Sequence, residues 1–259
     1  AVNFINTALS NNLFYRKSDV YPKRIDTKEE IYQLPILAKQ DVRENLNYLY
    51  SKDLAKAVWS HTSGTTGTAI IFPLTREIFQ REYAFRQLHY SWGGVSLDQR
   101  DKIVSIAGHK VVSINKDKPP FWVTDYINNW LYFSSYHLSE HNMRSYIVKL
   151  DRFNPKMIHG YPSSLFLLAI GYEKYGNGSL SLKSIFSSSE TLLESQRRKI
   201  EGVFGVKVFN WYGTSEMNVN IVECEYGELH LKCEHSFVEI LNTNNKPCKP
   251  GETGRIIST

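Results

Sequence analysis

Apolar residues recur along this chain in two rhythms, short runs of continuous or alternating hydrophobicity and longer stretches spaced near 3.6, and the two take turns through the middle of the sequence. The runs at 101–108, 156–158, 184–186 and 206–210 are short, rich in β-branched or aromatic residues and bounded by Gly, Pro or Ser, which predicts buried strands. Between them, 140–150, 165–172 and 192–204 carry helical spacing. Ser139 is placed to cap the first, with Tyr146, Ile147 and Leu150 inward, and Tyr161-Pro162-Ser163-Ser164 opens the second. The third is expected to turn Arg197, Arg198 and Lys199 to solvent. Upstream, Thr75 can cap a helix over Arg76–Trp92, with Ile78, Tyr83, Phe85 and Leu88 facing the core and Gly93-Gly94 ending it. Such β-α alternation predicts an α/β fold with mostly parallel strands at its centre and flanking helices.

The two ends follow other patterns. Residues 1–50 read as short polar helices, among them 28–33 and 39–46. Ala57-Val58-Trp59 and Ala69-Ile70-Ile71-Phe72 are brief apolar runs flanking a polar segment, a hairpin-like arrangement. The dense aromatic segment 121–133 reads as core, with an acyl pocket as the alternative. From Val219 the pattern changes to short strands at 229–232, 237–240 and 255–257, separated by Gly, Asn and Pro turns. This predicts a small antiparallel β subdomain, so that 1–218 forms the α/β core and 219–259 the subdomain.

With 42% hydrophobic and 13% aromatic residues among 259, the chain has the makings of a large buried core. The net charge of +5 is spread without any basic run longer than a pair, which argues against nucleic acid and suits anionic small ligands. No apolar stretch reaches membrane-spanning length, and three cysteines, an odd number, fit a reducing cytoplasm rather than a disulfide scaffold. The expectation is a cytoplasmic protein acting on a small molecule. Oligomeric state is not legible.

Chemistry concentrates at Thr62-Ser63-Gly64-Thr65-Thr66-Gly67, where four hydroxyls and two glycines fill six positions. Glycines let backbone N–H groups approach a ligand, and hydroxyls add neutral donors, a combination suited to phosphate. No Gly-Lys-[Ser/Thr] follows, so this is not a Walker loop and a kinase of that type is disfavoured. A polar surface turn is the alternative. At 161–164 a helix N-terminus would favour a carboxylate, although Ser163 and Ser164 also read as simple caps. Cys224, His230 and Cys233, with His235 or Cys248 as a fourth partner, have the ligand types of a tetrahedral zinc site at a non-standard spacing.

The loop at 62–67 resembles the phosphate-loop signature of adenylate-forming (AMP-binding) enzymes, and Trp211-Tyr212-Gly213-Thr214-Ser215-Glu216 resembles their second signature. More narrowly, Leu34-Pro35-Ile36-Leu37, Pro119-Pro120-Phe121-Trp122, the segment 134–140 and His159-Gly160-Tyr161-Pro162-Ser163-Ser164 are similar to the branch holding phenylacetate–coenzyme A ligase and the capsular-polysaccharide ligase-like proteins. The resemblance implies a carboxylate-activating ligase that uses ATP and Mg²⁺, forms an acyl-adenylate from a small carboxylic acid and passes it to coenzyme A or an amine. It implies that residues 62–67 hold the β- and γ-phosphates, that Ser189 and Glu190 neighbour the nucleotide, and that Trp211, Tyr212 and Gly213 bind it, with Tyr212 against adenine. Thr214 or Ser215 would donate to the α-phosphate and Glu216 would ligate Mg²⁺, while His159, Gly160, Tyr161 and Ser163 would face the acyl group. The lysine-proline usual after the phosphate loop is Thr68-Ala69 here, and a glycine usual before the glutamate is Ser189. The last residues resemble the segment preceding the ribose aspartate, so the chain reads as an incomplete large domain expected to be inactive alone. A non-catalytic nucleotide-binding remnant or scaffold partner is the alternative.

Overall fold

The computed structural model describes residues 1–50, 56–62 and 69–259. They form two compact units that interleave along the chain. One comprises Ala1–Glu82, Thr214–Asn220 and Lys232–Thr259; the other comprises Tyr83–Gly213 and Ile221–Leu231.

The first unit opens, as the pattern predicts, with short helices: α1 (Val2–Asn11), α2 (Leu13–Lys17), α3 (Lys39–Glu44) and α4 (Leu46–Leu49). Asn12 separates the first two, its side-chain oxygen accepting from the Phe14 N–H at 2.9 Å. Ile5, Leu9, Tyr21, Ile25 and Ile31 make the core of this unit, with Phe237 packed against it. Strands β1 (Val58–His61) and β2 (Ile71–Leu74) pair antiparallel with His61 opposite Ile71. Helix α5 (Arg76–Trp92) begins here and runs on into the second unit.

The second unit is built on strands β3 (Ile103–Ile106), β4 (Trp122–Asp125) and β5 (Trp130–Phe133), helix α6 (Glu140–Phe153), β6 (Met157–Gly160), α7 (Pro162–Tyr175), β7 (Ser184–Ser188), α8 (Glu194–Phe204), β8 (Val208–Gly213), β9 (Asn220–Glu223) and β10 (Leu229–Leu231). The strands form one sheet in the order β10-β9-β8-β7-β6-β3-β5-β4, parallel from β8 through β5. Period-two alternation sorts the side chains onto two faces. Val104, Ile106, Leu131, Phe133, Ile158, Ile185 and Val208 pack with α6, α7 and α8 in the main core. Ile103, Met157, Phe186 and Phe209 pack with Tyr90 of α5 on the other face. Ser139 caps α6 as the sequence predicts, accepting from the Asn142 N–H at 3.4 Å.

The expected small antiparallel sheet is made by β11 (Val238–Leu241) with β12 (Arg255–Ser258), while β9 and β10 extend the main sheet as a hairpin. Two expectations need correction. Helix α5 buries Glu82, His89 and Tyr90, whereas Tyr83 and Leu88 are about half exposed. The helical period was right and the face was wrong, because tertiary partners satisfy these polar groups. Glu82 lies 3.1 Å from His235, and His89 Nε2 lies 3.0 Å from the Glu223 carbonyl. Arg197, expected outside, is partly buried and pairs with the buried Glu223 carboxylate at 2.7 Å. No helix among the described residues is long and apolar enough to cross a membrane.

Candidate nucleotide and acyl site

In the first unit, Thr62 is 5% exposed. Its N–H donates to the Ile70 carbonyl and its hydroxyl oxygen accepts from the Ile70 N–H, both at 3.0 Å. Thr62 therefore ties the end of β1 to the start of β2 through Ile70. Ser63, Gly64, Thr65, Thr66 and Gly67 lie outside the described residues. Further along the same unit, Thr214 donates its hydroxyl to Asn218 Oδ1 at 2.5 Å and its carbonyl accepts from the Met217 N–H at 3.1 Å. This folds Thr214–Asn218 into a tight turn in which Ser215 is exposed and Glu216 is half-buried.

The second unit gathers the remaining candidates at the carboxyl ends of β6, β7 and β8. Ser188 lies opposite Trp211 in register, and Gly160 lies opposite Ser187. His159 Nε2 is 3.2 Å from Ser188 Oγ. Burial, with added contributions from the charges of Arg86, His109 and His89, pulls the His159 imidazole down to about 3, so it is neutral near pH 7. Gly160 is demanded by packing, since a Cβ there would collide with the Ile106 carbonyl on the neighbouring strand. Tyr161 precedes α7 as its N-cap residue, with Pro162 in the first turn. The Ser163 N–H at this helix end donates to Glu190 Oε2 at 3.1 Å. The carboxylate expected at this N-terminus is thus supplied by the chain itself. Ser189, next to it, has φ of 71°, the left-handed conformation that glycine favours. Serine in place of the usual glycine leaves the backbone in the glycine-like conformation. Trp211 carries the Arg86 guanidinium 5.0 Å above its ring, and Tyr212 is 47% exposed at the strand end.

His159, Gly160, Tyr161, Ser163, Ser189, Glu190, Trp211, Tyr212 and Gly213 therefore share one edge of one sheet. Thr62, Thr214, Ser215 and Glu216 belong to the other unit.

The zinc expectation is corrected. Among the described residues no three His, Cys, Asp or Glu side chains gather to hold a metal ion. In the β9–β10 hairpin His230 stands opposite Val222 and the Cys224 N–H donates to the Glu228 carbonyl. Cys233 is exposed.

Sequence reasoning missed a cavity of about 390 Å³ on the α5 face, with Ser105, Tyr132 and His159 from adjacent strands and Tyr83, Arg86, Arg100 and His109 around it. The available signal was one polar residue, Ser105, inside an otherwise apolar strand. On this face Tyr132, Ser105 and His159 share a rung, one step towards the carboxyl ends from Trp130, Ile103 and Met157.

The fold assembled in this way is that of the adenylate-forming acyl-CoA ligases. The chain matches, over 99% of its length and 58% of the other, a crystal structure of 2-hydroxyisobutyryl-CoA ligase in complex with 2-HIB-AMP and CoA, at a TM-score of 0.73 and 19% identity. The same ligase in its postadenylation state with 2-HIB-AMP gives 0.75 at 16% identity, over 99% of this chain and 57% of that one. An acyl-CoA synthetase of Brucella canis gives 0.51 at 18% identity, over 76% and 36% of the two chains. The resemblance carried by the two signatures thus holds at the level of fold. In sequence, the chain is similar to Protein CapK of Staphylococcus aureus, 33% identical over 239 residues, which is 88% of this chain and 51% of that protein. It spans about half the length of CapK and of the 2-hydroxyisobutyryl-CoA ligase. No family model matches it.

Proposed function

We propose that the protein carrying this chain activates a small carboxylic acid with ATP, forming an acyl-adenylate and pyrophosphate, and then passes the acyl group to coenzyme A or an amine. The observation that carries this reading is the convergence of His159–Ser163, Ser189-Glu190 and Trp211–Gly213 on three adjacent parallel strand ends. Ligand sites of open α/β sheets form there. In the first step an oxygen of the acid attacks the α-phosphorus and pyrophosphate leaves; in the second a thiol or amine attacks the acyl carbon and AMP leaves. The first step moves no proton and the second only passes the proton of the thiol or amine to solvent, so positioning and neutralisation of phosphate charge dominate.

Residues 62–67 would hold the β- and γ-phosphates, with Thr62 tied to Ile70. Tyr212, half exposed at the end of β8, would cover the adenine. Thr214 already donates its hydroxyl to Asn218, which leaves Ser215 as the donor for the α-phosphate. Glu216 fits Mg²⁺, a hard ion that takes one or two carboxylates beside phosphate oxygens and water and would offset the charge of the leaving pyrophosphate. The setting would be a cytoplasmic pathway of polysaccharide or secondary metabolism. Calorimetry with ATP and AMP tests the nucleotide site on this chain, and acid-dependent pyrophosphate exchange by the whole protein tests the reaction. Absence of nucleotide binding at millimolar concentration would overturn the reading.

A further inference from the structure

We propose that Glu223 and Arg197 are positioning residues for the nucleotide, their ion pair holding in place the two stretches, Ser189-Glu190 and Trp211–Gly213, that the activating function sets against it. This inference rests on that function and deepens its nucleotide site. All of these residues belong to the second unit. The backbone of β8 shows what the pair does. The Ile185 N–H donates to the Lys207 carbonyl at 3.0 Å, so the backbone groups of residues 207 and 209 serve β7. Alternation turns those of Val208 and Asn210 to the opposite edge, towards β9. Three of these groups are met by side chains. The Val208 N–H donates to Glu201 Oε1 at 2.9 Å and its carbonyl accepts from Arg197 Nη1 at 2.7 Å. The Asn210 N–H donates to Glu223 Oε2 at 2.9 Å.

One carboxylate oxygen joins the parts. Glu223 is 3% exposed, and the same Oε2 also accepts from Arg197 Nη2 at 2.7 Å. Arg197 is the fourth residue of α8, and only residues 191–193 separate that helix from Ser189-Glu190. Asn210 immediately precedes Trp211, and Tyr212 stands about 7 Å of strand beyond it. On the β7 side, Ser187 Oγ donates to Asn210 Oδ1 at 3.0 Å, so the Asn210 side chain is held from one strand and its backbone from the other. A guanidinium suits this place because its fork serves the Val208 carbonyl and the Glu223 carboxylate at once. Buried ion pairs are poor sources of stability, since desolvation offsets their attraction, whereas charge-assisted hydrogen bonds fix geometry sharply. Placement of the strand end is therefore the use this pair fits.

Calorimetric titration of the protein with AMP, at a temperature where circular dichroism shows every variant folded, tests the proposal. Glu223→Ala and Arg197→Gln should each weaken AMP about tenfold, with the number of sites per chain unchanged. A merely structural role would lower the number of sites and leave the Kd of the remaining ones as it was. Glu223→Gln, which keeps an acceptor for the Asn210 N–H and stands in if Glu223→Ala does not fold, should lose less in the same direction. The direction at Glu223 separates placement from field strength, because removing a negative charge near a phosphate would by electrostatics alone tighten AMP. Arg198→Gln, at the exposed cation one residue on, should leave AMP affinity as it is. Unchanged or tighter AMP binding in both Glu223 variants, or a loss in Arg198→Gln equal to that in Arg197→Gln, would overturn the inference. No AMP binding by the unsubstituted protein sinks the activating function and this inference with it, whereas binding that the Glu223 and Arg197 substitutions leave unchanged sinks only this inference.

Discussion

Glu190 and Ser163 are joined across two loops, the carboxylate Oε2 accepting the Ser163 backbone N–H at 3.1 Å. The positive end of α7 therefore faces a negative charge from the chain before any substrate arrives. Removing that charge should loosen the helix end and also make room for another carboxylate. Glu190→Ala is expected to lower stability by about 0.3–1 kcal/mol in denaturant unfolding. Glu190→Gln, which keeps an acceptor, should lose less while raising affinity for a carboxylic acid several-fold. Unchanged stability in both variants would mean that the contact is not maintained in solution.

Thr62 is expected to act through the hairpin as much as through phosphate. Thr62→Ala removes the acceptor for the N–H of Ile70, itself 4% exposed, and leaving a buried donor unpaired costs about 1–3 kcal/mol. Thr62→Ser should restore most of it. If Thr62→Ala binds ATP more weakly with no loss of thermal stability, the residue is a ligand contact and not a clamp.

Ser189 offers a test of strain at the site. A non-glycine residue at φ of 71° is held there against a preference of about 1–2 kcal/mol, so Ser189→Gly should stabilise by about 1 kcal/mol. Ser189→Val, β-branched, should destabilise by more than that. Equal stability of all three would show that the loop adopts another conformation free in solution.

Much of this architecture could be read from the sequence, because β3, β6, β7 and β8 are short apolar runs and α6 and α7 carry their own caps and proline. The helix α5 limits were read correctly and its buried face was not. Glu82 and His89 are buried because His235 and the Glu223 carbonyl, 153 and 134 residues away, satisfy them, and no local pattern announces such partners. Arg197 escaped for the same reason: its partner Glu223 lies on β9, whose place in the main sheet was unforeseen. In the site, stretches that end strands were legible as candidates. The Ser105–Tyr132–His159 rung was not, since it depends on the register of three strands that are not consecutive in the chain.

His159 gives the pH dependence a definite sign. Its folded-state value near 3 lies below the ordinary 6.5, so on acidification the unfolded chain takes up this proton first. The contribution of His159 to stability is therefore full above pH 6.5 and is lost as pH falls from 6.5 towards 3, with a slope of at most about 1.4 kcal/mol per pH unit for one proton. Carboxylates also titrate in the lower part of that window, so the informative range is pH 6.5 to 5, where they remain mostly ionised. His159→Asn keeps a polar group beside Ser188 and cannot titrate. Its unfolding free energy should be flatter than wild type across pH 6.5 to 5, and the difference between the two curves should narrow as pH falls. Parallel curves would mean that His159 is solvated and titrates like an exposed histidine, which would remove the neutral, buried imidazole from the floor of the cavity.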